Sequence, residues 1–207
     1  MGKAEANKIL KRESLLNTAF HLFTTKGINN TSIADIVEQA GVAKGTFYLY
    51  FKDKYDIRNK LVIHRTSSLF ENAMLCMKQQ NVEGYRKRIL FVVNYIIDAL
   101  TDDKVLLMFI SKNLGLGFSR YALESTIMVE DTYIKDVADS LLTDIGDEIT
   151  NPKLMMYMII ELIGSCIYSS ILFSQPVEID ELKPHLYRTI NSIIDQFAFQ
   201  QSASSET

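Results

Sequence analysis

Apolar side chains recur at intervals of three and four residues through most of this chain, and little interrupts them. The first clear stripe is Leu16, Ala19, Phe20 and Phe23, an i, i+3, i+4, i+7 series that puts all four on one side of a helix. No segment alternates apolar and polar residues as a half-buried strand does. Three prolines and nine glycines in 207 residues are too few for a linker-rich, collagenous or disordered chain. The pattern predicts an all-α protein. At this length it can bury most of its apolar surface, in one domain or two small ones, without disulfides or metals.

Punctuation divides the pattern. A first helix is expected over residues 8–26, closed by Gly27, which tolerates the left-handed backbone of a helix end. Asn29, Asn30, Thr31 and Ser32 read as a turn and N-cap for a two-turn helix over 32–40, with Ile33, Ile36, Val37 and Ala40 inward. Gly41, Val42 and Ala43 turn the chain into another short helix over 44–51. Longer helices are expected over 53–78, 83–100, 103–114, 120–144, 152–173 and 180–199. Asp53, Asp103 and Asp180 stand at caps or first turns, and Pro152 takes a first-turn position after Asn151. The expected parts are a head over 1–52, a larger helical body over 53–200, and a polar tail over 201–207 that is expected to be disordered.

Residues 154–173 are long and apolar enough to span a bilayer. Glu161 near their middle would cost about 3 kcal/mol there, and Ser165, Ser169 and Ser170 dilute the stretch further. A soluble protein needs the same composition where a helix meets its own core on one side and a partner subunit on the other. No membrane is expected. Cys76 and Cys166 lie 90 positions apart without metal-ligand spacing, and Met1–Glu5 carries no apolar run of a secretory kind. A reduced, cytoplasmic setting follows as the expectation.

The net charge of −3 hides an asymmetry. Residues 1–60 hold ten Lys and Arg against six acids, an excess of +4, whereas the remainder carries −7. A basic head on an acidic body suits a polyanionic partner for the head alone. The informative stretch is Thr31–Lys60, two short helices around a glycine turn: a helix-turn-helix, whose second helix can enter the major groove of DNA. Gly41 permits the turn and Val42 plugs the corner. Ile36, Ala40 and Phe47 lock the pair against the first helix, and Gly45 leaves the backbone open to close approach. Thr46, Tyr48 and Tyr50 supply hydroxyls, and Lys44, Lys52 and Lys54 supply ammonium groups. Lys44 and Lys54 stand in first turns, where the helix dipole disfavours cations unless a phosphate sits between.

The run Ala40-Gly41-Val42-Ala43-Lys44-Gly45-Thr46-Phe47-Tyr48-x-Tyr50-Phe51, preceded by Ala19-Phe20-x-x-Phe23-x-x-x-Gly27 and Thr31-Ser32-Ile33-x-x-Ile36, is specific in combination. With Lys52-Asp53-Lys54 and Ile57 behind it, the segment 9–60 strongly resembles the DNA-binding domain of TetR-family (TetR/AcrR-type) transcriptional regulators. Val37 departs from the usual small residue, and Ala43 from the usual Ser before Lys44, which removes a cap from the third helix. The resemblance implies a homodimer that binds double-stranded operator DNA through its heads and takes a small-molecule effector in the body. It implies groove-facing roles for Lys44, Thr46 and Tyr48, and phosphate contacts from Thr31, Tyr50 and Lys54. The operator is then an approximate palindrome.

The body carries no such motif. Candidate pocket residues are Phe91, Tyr95, Met108, Phe109, Asn113, Tyr121, Met128, Tyr157 and Tyr168, each equally at home in a plain core. Eight methionines suit a deformable, largely apolar pocket. Leu186, Ile190, Ile193, Ile194 and Phe197 form one apolar stripe on the last helix, beside a helix that is apolar nearly all round and carries Gly164, Ser165 and Ser169. A two-fold, four-helix interface would bury the surplus. His21, His64 and His185 are dispersed, no carboxylates are paired for acid–base work, and no cofactor motif occurs. The expectation is a ligand-responsive repressor and not an enzyme. The alternatives are a DNA-binding regulator controlled by a protein partner and an enzyme that kept a helix-turn-helix-like head.

Overall fold

The computed structural model of the protein describes residues 3–110 and 149–199. Eight helices lie within them: α1 (Lys3–Thr25), α2 (Ile33–Ala40), α3 (Lys44–Tyr50), α4 (Lys54–Gln79), α5 (Tyr85–Asp102), α6 (Lys104–Ile110), α7 (Pro152–Phe173) and α8 (Ile179–Phe197). No strand occurs among the described residues; the nearest thing is an isolated antiparallel bridge between Ile149 and Ala198. The fold is all-α, as the periodicity predicts. The helix expected over 120–144 and the tail over 201–207 lie outside the described residues.

The chain divides into two compact units, Met1–Arg65 and Thr66–Thr207. The motif ends near residue 52, yet the first unit extends to Arg65 because Ile57, Leu61 and Val62, in the first turns of α4, are buried in it. Leu15, Leu16, Ala19, Leu22 and Phe23 from α1 join Ile36 and Val37 from α2 and Phe47 and Phe51 around α3. Short polar side chains set the starts of α2, α4, α6 and α7. Ser32 and Asp35 form a reciprocal capping box on α2. Asp53 Oδ1 accepts from the Tyr55 and Asp56 amides at 2.8 Å each, and Asp103 Oδ1 accepts from Leu106 at 2.8 Å. α2 ends on Gly41 at φ +68, with the Gly41 amide on the Glu38 carbonyl and Val42 on Val37, the paired bonds of a Schellman end.

In the second unit α7 supplies the centre. Asn151 caps it through Leu154, Pro152 occupies its first turn, and Met155, Met156, Ile159, Ile160, Ile163, Ile167 and Ile171 are buried. It is long and apolar enough to cross a membrane by length and composition, but this face packs within the unit's own core. α8 lays Leu186, Ile190, Ile193 and Ile194 into the same core, against α7 and α5. Burying each such side chain stabilises by about 1.5–3 kcal/mol. This corrects the stripe expected to face a partner: Leu186, Ile190 and Ile193 are consumed by the chain's own interior. Outside the core, Lys183 Nζ meets Asp98 Oδ1 at 2.6 Å, Arg86 pairs with Asp195, and the Tyr187 hydroxyl donates to Asn94. These polar contacts fix α8 on α5 at modest gain, since the ion pairs are partly exposed.

Candidate nucleic-acid interface

α1, α2 and the start of α4 hold α3 from behind, and the division of α3 is sharp. Phe47 is fully buried and meets Tyr48 edge-on, with ring centroids 5.5 Å apart, and Phe51 at 5.5 Å. Lys44 and Tyr48 lie one turn apart, as do Gly45 and Leu49 in the next row, and all four are exposed. Thr46 is half-buried at the flank. Ala43 occupies the N-cap with no side-chain hydrogen bond, so the cap lost with the usual Ser is not replaced. The outward face therefore carries an ammonium group, a phenol, uncapped helix-start amides and a large aliphatic side chain.

Gly45 has a local meaning that the fold does not supply. A Cβ built there meets nothing within 4 Å, and its φ does not lie in the left-handed region. Glycine inside a helix costs about 1 kcal/mol against alanine. Among the described residues nothing requires that cost, and the position leaves the backbone open to close approach from outside.

Three side chains implied to contact phosphate do other work in the structure. Thr31 is 1% exposed, its hydroxyl 2.9 Å from the Gly27 carbonyl oxygen and 3.4 Å from that of Leu22. Lys54 Nζ donates to the carbonyls of Ile28, Asn29 and Thr31 at 2.9, 3.3 and 3.2 Å. It straps the α1–α2 loop to the start of α4 with all three of its N–H groups. The Tyr50 hydroxyl donates to the Lys8 carbonyl at 3.2 Å, which leaves no proton for a phosphate diester that can only accept. In the structure these three side chains position the head. Lys60 does likewise, donating to the Tyr50 carbonyl at 2.9 Å beside Asp56 at 3.4 Å. Leu49 and Tyr55 are exposed and were missed because polar chemistry, not exposure, marks a site in sequence.

In the second unit, Phe91, Tyr95, Phe109 and Tyr168 are partly buried against the core. Burial pushes the Tyr95 phenol and the Cys166 thiol up, so Cys166 is a poor thiolate. Met108 and Tyr157 are instead 54% and 40% exposed. Asn113, Tyr121 and Met128 lie outside the described residues. On α7, Gly164 and Ser169 are half-buried and Ser165 exposed, on the side away from the buried isoleucines; Phe197 is half-buried. No three His, Cys, Asp or Glu side chains converge as a metal site among the described residues.

A short helix held rigidly behind a glycine turn, with its free face basic and hydroxyl-bearing, defines a helix-turn-helix DNA-binding unit. Residues 15–61 match the model of bacterial regulatory proteins of the tetR family, which identifies this segment as a DNA-binding domain of that family. Among curated relatives, the HTH-type transcriptional regulator YdgC of Bacillus subtilis (strain 168) is 31% identical over 95 residues, 45% of this chain and 49% of that protein. The HTH-type transcriptional repressor BepR of Brucella suis biovar 1 (strain 1330) is 32% identical over 62 residues, 30% of each chain. The chain thus spans about half the length of YdgC and less of BepR. The transcriptional regulator FadR of Bacillus subtilis, solved in complex with stearoyl-CoA, shares the fold at a TM-score of 0.58 and 20% identity, over 88% of this chain and 98% of that one.

Proposed function

We propose that the chain is a transcriptional repressor that binds a palindromic operator as a homodimer and is released by a small, largely apolar effector. The observation that carries this is the outward face of α3: Lys44, Gly45, Thr46 and Tyr48 sit on a rigid support, and no internal contact of the fold accounts for Gly45. Lys44 and the helix-start amides meet phosphate, while Tyr48 and Thr46 face the groove. Work on chromosomal DNA places the protein in the cytoplasm. The outward side of α7 supports dimerisation: Leu154, Tyr157, Met158 and Phe173 are exposed there beside Ser165, a surface a second copy would cover. The partly buried Phe91, Tyr95, Phe109 and Tyr168 are the pocket candidates that remain, and BepR's name and FadR's ligand favour repression and an acyl thioester as the first effector to try.

Fluorescence anisotropy on DNA from upstream of its own coding region tests the reading. Affinity should fall linearly on a log–log plot against salt, and an added long-chain acyl-CoA, or another ligand with a long apolar chain, should release the duplex. Binding that is independent of salt, or absent, overturns the DNA-binding role. Salt-dependent binding that no ligand relieves points instead to control by a protein partner.

A further inference from the structure

We propose that Leu49 reads the 5-methyl group of a thymine at one fixed position in each operator half-site; the inference rests on the DNA-binding function proposed above. Leu49 is 79% exposed, the most exposed large apolar side chain of the described residues. It is not a scattered surface leucine. It shares the outward face of α3 with Lys44, Gly45 and Tyr48, itself 53% exposed, and projects one turn beyond Gly45.

The occupant follows from the surroundings. The first 60 residues carry a +4 excess, which suits a polyanion and opposes a second basic head. Gly45 removes the side chain one turn back in the same row, so the surface next to Leu49 can come close to a partner's backbone. Within a major groove, the one aliphatic group that base edges present is the thymine methyl, and an aliphatic side chain can neither donate nor accept. Leu49 therefore selects thymine over cytosine by burying a methyl group and by leaving a cytosine amino group without an acceptor. Lys44 and Tyr48 on the adjacent row fix the register, with no need to read that base.

The test uses the full chain and duplexes that it selects from a randomised library. Each thymidine is replaced in turn by deoxyuridine, which removes one methyl group and keeps the pairing. At one position per half-site, wild type should lose about fourfold in affinity, and about fifteenfold when both half-sites are changed, the worth of a methyl group returned to water. Leu49→Ala should lose about the same on the thymine duplex and show no further loss on the deoxyuridine duplex. Its exposure predicts unchanged helicity and thermal midpoint, which separates a lost contact from a lost fold. Deoxyuridine without effect at every position, or an equal effect in wild type and Leu49→Ala, overturns the assignment while leaving DNA binding intact. Failure to select any duplex overturns the DNA-binding function itself.

Discussion

Phe47 and Leu49 stand two residues apart on α3, one with no exposed surface and the other 79% exposed. The head is built from helices divided in this way, and its outward chemistry can be assigned residue by residue. α7 in the body is different: apolar side chains run round it, with Ile159 and Ile163 buried and Leu154, Tyr157 and Met158 exposed. A helix with a polar outer face states where its partner ends. One that is apolar on every side leaves that to tertiary and quaternary packing. The contrast shows why a DNA-binding surface is specified by a few local positions, whereas a pocket or a dimer seam is spread through a core.

The largest effects should come from breaking each region at its centre. Phe47→Ala and Ile190→Ala both remove fully buried side chains and should cost about 3–5 and 2–5 kcal/mol respectively. Phe47→Ala should abolish operator binding while calorimetry still records a cooperative transition of the body; Ile190→Ala should lower that transition. If Phe47→Ala shifts the body transition as far as Ile190→Ala does, the two regions are one energetic unit.

Next in size is the surplus face of α7. Ser165→Arg places a charge on its exposed side, and Ile193→Arg places one in the interior. An unpaired buried charge costs about 3–5 kcal/mol. Light scattering should find Ser165→Arg folded and monomeric at micromolar concentration, with weakened DNA binding, and Ile193→Arg misfolded. A Ser165→Arg variant that remains dimeric removes α7 from the interface.

The same contrast explains what the sequence could reveal. Ser32, Gly41, Asp53 and Pro152 act on backbone groups within a few residues, so their roles were readable from order alone. The stripe Leu186, Ile190 and Ile193 was equally visible as a stripe, but periodicity says that a face is buried and not by what; here it is α7 and α5 of the same chain. Lys54 reaches carbonyls 23 to 26 residues away, and only the folded head brings that loop to it. Leu49 was passed over because an apolar residue in an apolar-rich helix resembles core until its neighbours are placed.

Lys54 offers a sharper and smaller test. Lys54→Met removes three hydrogen bonds from a partly exposed ammonium group and should destabilise the head by about 1–2 kcal/mol. Because those bonds are internal, the slope of log affinity against log salt should stay as in wild type. Lys44→Met should lower the slope by about one per half-site without changing stability. A reduced slope for Lys54→Met would return that lysine to the phosphates.

Gly45→Ala should move stability and affinity in opposite directions. With nothing within 4 Å of an added Cβ, the free head gains up to about 1 kcal/mol of helix stability. Operator binding should nevertheless weaken. Thermal melts and anisotropy on one preparation check both signs, and a variant that is more stable and binds as well would show that nothing approaches the backbone there.

The smallest expected effect separates the two regions by pH. In the head, the Ser32 amide and hydroxyl both donate to Asp35 Oδ2 at 2.8 Å, and these bonds, the backbone one foremost, hold the Asp35 carboxyl below its ordinary 3.8. A carboxyl whose pKa is lower in the folded state contributes stability that is fully present above the unfolded value. That contribution is lost as pH falls through the folded value. In the body, the hydrogen bond from Lys183 to Asp98 raises the lysine above its ordinary 10.5. Its contribution is fully present below that value and is lost as pH rises through the higher folded pKa. The head should therefore give up a contribution on acidification below about pH 4, and the body on alkalisation above 10.5. Thermal midpoints of wild type, Asp35→Asn and Lys183→Met from pH 3 to pH 11 check this, roughly spanning both ordinary values. Asp35→Asn should flatten only the acid limb and Lys183→Met only the alkaline one. If either substitution flattens the opposite limb, the capping box and the α5–α8 ion pair are not the groups that set these slopes.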